Sequence, residues 1–108
     1  MSKKLAVFFP GIGYHNDKPL LYYSRKLAAE AGFQCVRVDY NGFASGIKGN
    51  ADKMREALET AYSQTELILS DIDWKSYDNI IFISKSIGTV VAARYAKEYD
   101  VTCRNIYM

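Results

Sequence analysis

One stretch constrains the fold of this chain more than any other: Asn79-Ile80-Ile81-Phe82-Ile83-Ser84-Lys85-Ser86-Ile87-Gly88-Thr89-Val90-Val91. Its first part is β-branched and aromatic, as a buried strand requires. From Ile87 onward Val90, Val91, Arg94 and Tyr95 recur at helical spacing. A strand therefore runs into a helix with almost no loop between them. So sharp a turn needs small residues. Ser84 and Gly88 stand two positions before and two after Ser86, where a larger side chain would collide with the neighbouring strand or with the returning helix. Ser86 is left at the apex, its hydroxyl directed at solvent.

That arrangement, S-x-S-x-G, departs by one residue from the G-x-S-x-G of a nucleophile elbow. Serine is also a common helix N-cap, because its oxygen accepts one of the orphan backbone N–H groups, and glycine at a helix start can serve close packing alone. The pentapeptide by itself leaves both readings open.

With 108 residues the chain is one domain, residues 1–108, large enough for a modest core. Its charge of +2 comes from 14 basic and 12 acidic residues scattered along the sequence, so no basic stripe marks a nucleic-acid surface. The apolar run Leu5 to Phe9 stops at Pro10-Gly11, too short for a signal peptide, and no later run reaches membrane-spanning length. The expected protein is cytoplasmic, with neither nucleic acid nor membrane as a partner. Cys35 and Cys103 fit that compartment as reduced, buried thiols. With His15 the sole histidine and no clustered ligands, neither a metal nor a cofactor is expected.

Leu5 to Phe9 reads as a strand buried on both faces of a parallel sheet. Pro10 to Asp17 is a glycine-containing loop, and Asn16 or Asp17 can cap a helix with Pro19 in its first turn. Leu20, Tyr23, Leu27 and Ala31 form the apolar stripe of that helix, which Gly32 stops. Phe33 to Tyr40 alternates as a second strand. A loop from Asn41 to Gly49 leads to a helix from about Asn50 to Ser70, with Met54, Leu58, Ala61, Tyr62, Thr65 and Ile68 on one face. In the polar connection Asp71 to Asp78, Trp74 and Tyr77 read as anchors. After the strand and helix of the opening stretch, which ends near Tyr99, Asn105 to Met108 is a final apolar piece. Tyr22, Tyr23, Tyr40, Tyr62 and Tyr95 read as packing residues whose hydroxyls reach the surface.

The order β-α-β-α-β-α-β implies an α/β, three-layer αβα fold with a mostly parallel sheet of about four strands and right-handed crossovers. The expected strand order is 2-1-3-4, with the switch point between the first and third strands, where ligands bind outside the carboxyl ends. The loops meeting there are Pro10 to Asp17 and Ser84 to Gly88. A serine nucleophile needs an oxyanion hole, made in elbow enzymes by the N–H of the residue after the nucleophile and an N–H from the loop after the neighbouring strand. Ile87 supplies the first donor; Ile12, with Gly13 beside it, supplies the second.

The chain resembles the first half of an α/β-hydrolase. It is most similar to small bacterial proteins of that type carrying the F-P-G-I-G-Y loop of Phe9 to Tyr14, the D-K-P-L-L-Y-Y start of Asp17 to Tyr23 and the F-I-S-K-S-I-G-T elbow of Phe82 to Thr89. The resemblance covers nearly the whole chain and implies a truncated α/β-hydrolase-like fold, with Ser86 attacking the acyl carbon of an ester or related small substrate. In that family the acid and histidine follow the nucleophile on later loops. No histidine follows Ser86 here, so the resemblance implies a chain that lacks both partners and is weak or inactive alone.

An improvised triad of Ser86, His15 as base and Asp39 as acid would face one crevice. A lone histidine in a glycine-rich loop is more often solvated or a helix-cap partner, and Asp39 can be a turn residue. Lys85 adjoins Ser86 on a sharp turn and is read as a solvent-facing lysine. A sheet ending at Ile106 to Met108 would expose an apolar edge and favour self-association. The competing function is a non-catalytic, flavodoxin-like domain that holds a small molecule or anion with the Gly11-Ile12-Gly13 loop and the helix start at Ser86.

Overall fold

The computed structural model describes residues 3–10, 19–38, 51–85 and 87–107, and for residues 19–21 the backbone alone. The elements are β1 (Lys4–Phe9), α1 (Pro19–Glu30), β2 (Gln34–Arg37), α2 (Ala51–Ile68), a single 3-10 turn at Trp74–Ser76, β3 (Asn79–Ser84), α3 (Ile87–Glu98) and β4 (Arg104–Tyr107). All strands are parallel, as the alternation of elements implies, and they lie in the expected order β2-β1-β3-β4. The register sets Phe9 beside Ser84 and Ser84 beside Tyr107.

Side chains alternate across a strand, so β1 and β3 each feed two layers. Leu5, Val7, Phe9, Ile80 and Phe82 pack with Ala61, Tyr62 and Leu69 on the α2 side and with Val91, Ala92 and Tyr95 of α3. On the opposite face Ala6, Phe8 and Ile83 meet Ala28 and Phe33 at the end of α1. Every residue from Leu5 to Phe9 is fully buried, which is why that run shows no alternation of polarity. Trp74 is the anchor its isolation in a polar connection suggests: its ring centre lies 5.7 Å from those of both Phe82 and Tyr95. Tyr77 packs on the same core and donates its hydroxyl to Gln34 Oε1 at 2.9 Å.

Gly32 ends α1 at φ +90°, with the Phe33 N–H donating to Ala28 O and the Gly32 N–H to Ala29 O. This is a Schellman cap, and the two residues it joins, Phe33 and Ala28, both pack on the cluster of Ala6, Phe8 and Ile83. Thr65 is buried inside α2 and meets its hydrogen-bonding need by donating to Ala61 O at 2.8 Å.

Some faces differ from those the periodicity suggests. Tyr23 and Leu27 of α1 are 62% and 66% exposed, Ala31 is exposed too, and Ala28 faces the core instead; the side chain of Leu20 lies outside the described residues. Periodicity marks a stripe but cannot turn it toward a sheet. Here the helix lies over β1 and a four-residue edge strand, where Ala28 lets it approach. Tyr22 is likewise exposed, whereas Tyr62 and Tyr95 are buried; Tyr40 lies outside the described residues. On α2, Ala57 joins Ala61, Tyr62 and Thr65 in the buried face, while Ile68 is exposed. On α3, Gly88, Val91, Ala92 and Tyr95 form the stripe turned toward the sheet and are buried, which leaves Val90 on the outward side, exposed. Cys35 and Cys103 are free and half-buried rather than fully buried, and burial raises the pKa of both thiols. Among the described residues, no helix is long and apolar enough to cross a membrane, and no cluster of His, Cys, Asp or Glu could hold a metal ion.

Three polar contacts fasten α2 to α3 and its C-terminal end. Tyr62 donates to Glu98 Oε2 at 2.6 Å and Tyr99 to Glu66 Oε2 at 2.5 Å. Arg94 donates to Glu59 Oε1 at 2.8 Å while its guanidinium lies 4.0 Å from the centre of the Tyr62 ring. The hydrogen bond to Glu66 pushes the Tyr99 phenol from 10.0 up to about 12. Burial first, and then the bond to Glu98, raises Tyr62. A raised folded value means that the neutral phenol is the form favoured by folding. The contribution of Tyr99 is therefore complete below pH 10 and is lost as pH rises through about 12. Glu98 has the opposite sign: the Tyr62 bond foremost, aided by Arg94, lowers its pKa, so its contribution holds above the ordinary carboxylate range and is lost as pH falls through the folded value. In a phenolate absorbance titration, Tyr99→Phe should remove the component near pH 12 and flatten the alkaline loss of thermal stability; an unchanged late component would refute the fastening role.

Candidate active site

The carboxyl ends of β1 and β3 meet where the strand order reverses, and α3 begins there. β3 ends at Ser84, which is fully buried and, by alternation, shares the face of Ile80 and Phe82 beneath α3. The next residue, Lys85, donates its backbone N–H to Phe9 O at 3.1 Å, tying the turn to the end of β1. Gly88 then donates to Lys85 O at 2.9 Å, so the chain closes a tight turn as the helix starts.

Gly88 is where the turn has no slack. A Cβ built on it would lie 2.3 Å from Phe9 O, 2.6 Å from Pro10 O and 2.8 Å from the Phe9 carbonyl carbon. These are backbone atoms that no rotamer change can move aside. The first turn of α3 is thus pressed onto the last residues of β1. Its first N–H groups, which have no intrahelical partner, start at Ile87. Ile87 itself is buried, so its side chain anchors the turn while its backbone leads the helix.

This covers part of the predicted site. Ile87, Ser84 and Gly88 are brought together against Phe9 and Pro10. Ser86, His15, Asp39, Ile12 and Gly13 lie outside the described residues, as does the backbone angle of Ser86 that would separate nucleophile from cap. Lys85 is half-buried and engaged rather than simply solvent-facing, because the turn draws it down onto β1. Sequence reasoning did not single out the two carbonyls that hold Gly88. The F-P-G run carries them, but nothing in a run of residue types says which oxygen a helix that starts at Ile87, far along the chain, will meet.

Ser84 carries a second consequence. Its Oγ is buried and has no hydrogen-bond partner among the described residues. A lone buried hydroxyl costs about 1–3 kcal/mol of desolvation. The usual glycine at this place would avoid that cost, and so would alanine if the space admits a methyl, which the serine Cβ already demonstrates. In urea unfolding, Ser84→Ala should therefore be neutral or stabilising by about 1 kcal/mol. Gly88→Ala should destabilise by at least about 2 kcal/mol, the scale of overpacking a site that cannot give way. A tolerated Gly88→Ala would mean that α3 does not press on β1 in this way.

No family model, curated protein or solved structure matches this chain.

Proposed function

We propose that this chain is the nucleophile-bearing part of a serine hydrolase of α/β-hydrolase type, acting on an acyl ester or related small substrate. The observation that carries the reading is the packing of Gly88 against the carbonyls of Phe9 and Pro10 at the switch point. It supplies a physical reason for the last residue of the S-x-S-x-G run and brings the chain after β1 to the start of α3, the two places from which an oxyanion hole would be built.

In this reading Ser86 Oγ attacks the acyl carbon, its proton passes to a base, and the carbonyl oxygen gathers charge against the N–H groups of Ile87 and Ile12, with Gly13 beside them. The C–O bond to the alcohol then breaks, the alcohol leaves with the proton, and water releases the acyl group from Ser86. Within the chain the residues for base and acid are His15 and Asp39. A serine without an oriented base reacts slowly, so this form alone should be a weak catalyst.

Labelling with a fluorophosphonate probe tests the assignment. The native chain should acquire the label at Ser86 and Ser86→Ala should not. Equal labelling of the two, or none in either over a pH series extending to alkaline values, would overturn it. The latter, together with anion binding at the same turn, would favour the flavodoxin-like reading.

We propose in addition that the chain associates with itself along β4. This strand is a sheet edge, all four of its residues are exposed, and Ile106 and Tyr107 present apolar surface there. Light scattering over a concentration series should show a growing dimer that Ile106→Lys abolishes; a monomer at the highest concentration would refute it.

A further inference from the structure

We propose a second binding site, at the amino ends of β1, β3 and β4 on the α1 side of the sheet, for a small organic anion with a flat apolar body. It lies at the opposite end of the strands from Ser84 and Gly88 and does not depend on the hydrolase reading.

Topology leaves this place open. α2 and α3 both pack over the other face, and α1 lies against β1 and β2. The surface beside α1, over β3 and β4, holds a cavity of about 570 Å³. That is within the range of about 300–1,000 Å³ typical of small-molecule sites. Alternation places Lys4 on the face of Ala6 and Phe8, which pack with Ile81 and Phe33, and the register puts Arg104 directly beside Ile81. Lys4 is level with Asn79, two residues before Ile81, so Lys4 and Arg104 lie diagonally, two inter-strand spacings apart across the sheet and two residues apart along it, roughly 12 Å in all, with Ile81 flooring the Arg104 side. Both side chains are long enough to converge on one group above it.

The charges are poised for an anion. Lys4 Nζ lies 5.5 Å from the centre of the Phe33 ring and, among the described residues, makes a single long hydrogen bond of 3.5 Å to Ala31 O. Arg104 makes no ion pair among the described residues, leaving its planar fork of donors for a carboxylate or phosphate. The lining carboxylate, Asp78, already accepts the Lys3 backbone N–H at Oδ2, 2.8 Å away. Two cations thus face the cavity against one carboxylate that is partly committed, and the Thr102 hydroxyl adds a neutral donor. Phe33 and Ile81 give the body of the ligand an apolar bed. A bare inorganic ion would leave that bed empty, and a neutral aromatic would leave the cations unused.

Amide NMR of the whole chain tests this with four probes: benzoate, phenyl phosphate, inorganic phosphate and benzyl alcohol. Benzoate and phenyl phosphate should saturate a common set of shifts at Lys4, Ile81, Thr102 and Arg104, and inorganic phosphate and benzyl alcohol should bind about tenfold more weakly or worse. Arg104→Gln and Lys4→Gln, both at solvent-reached positions that should not disturb folding, should each weaken phenyl phosphate about tenfold. Ser86→Ala should leave it unchanged. Inorganic phosphate binding as tightly as phenyl phosphate would mean an adventitious ion only, and equal binding of benzyl alcohol would mean apolar adsorption only; either result overturns the proposal, as does the absence of saturable shifts at these amides.

Discussion

Gly88 carries only a hydrogen where any other residue would put a carbon, and the carbonyls of Phe9 and Pro10 occupy the space that carbon would need. Because the helix can come that close, Val91 and Tyr95, farther along α3, reach Phe82 and the rest of the sheet core. Trp74 closes the same cluster from the connection before β3. A wider separation at Gly88 would lift the whole of α3 and leave those rings without partners. The packing of the core and the shape of the turn are therefore one constraint, which ties the stability of this fold to the geometry of its candidate site.

The two faces of the sheet are unequal. The α2 and α3 face has a deep aromatic core, and its helices are fastened by Tyr62, Tyr99 and Arg94 to three glutamates. The α1 face rests on a thinner contact through Ala28 and Phe33, and Tyr23 and Leu27 stay in water. Right-handed crossovers account for the difference: the connections from β2 to β3 and from β3 to β4 run the same way along the sheet and so lie on the same side. Among the described residues no helix besides α1 covers the other side, and Lys4 and Arg104 line the cavity beyond it.

Much of this was legible in the residues. The alternation of elements, the double burial of β1, the stop at Gly32 and the anchoring by Trp74 all follow from local pattern, because each depends on a period or on a property of a single residue; the strand order followed only from taking the chain to start in mid-sheet and reverse once. The small residues around the Ser84 to Gly88 turn were legible for the same reason. Less legible were the rotation of α1, whose apolar stripe does not face the sheet, and the exposure of Val90. Both depend on how near a helix lies to a particular strand, and a period of 3.6 residues carries no such distance.

Taken alone, the sequence determined that a strand had to turn abruptly into a helix at Ser86 and that small residues had to flank it, since bond geometry allows little else. Tertiary structure decided what the smallness was for. The helix meets the end of β1 through backbone carbonyls that cannot move, at Gly88. Among the described residues the buried hydroxyl of Ser84 has no hydrogen-bond partner. Contacts between residues far apart in the chain are set by the packing of whole elements, and only the assembled sheet brings Phe9 and Gly88 together.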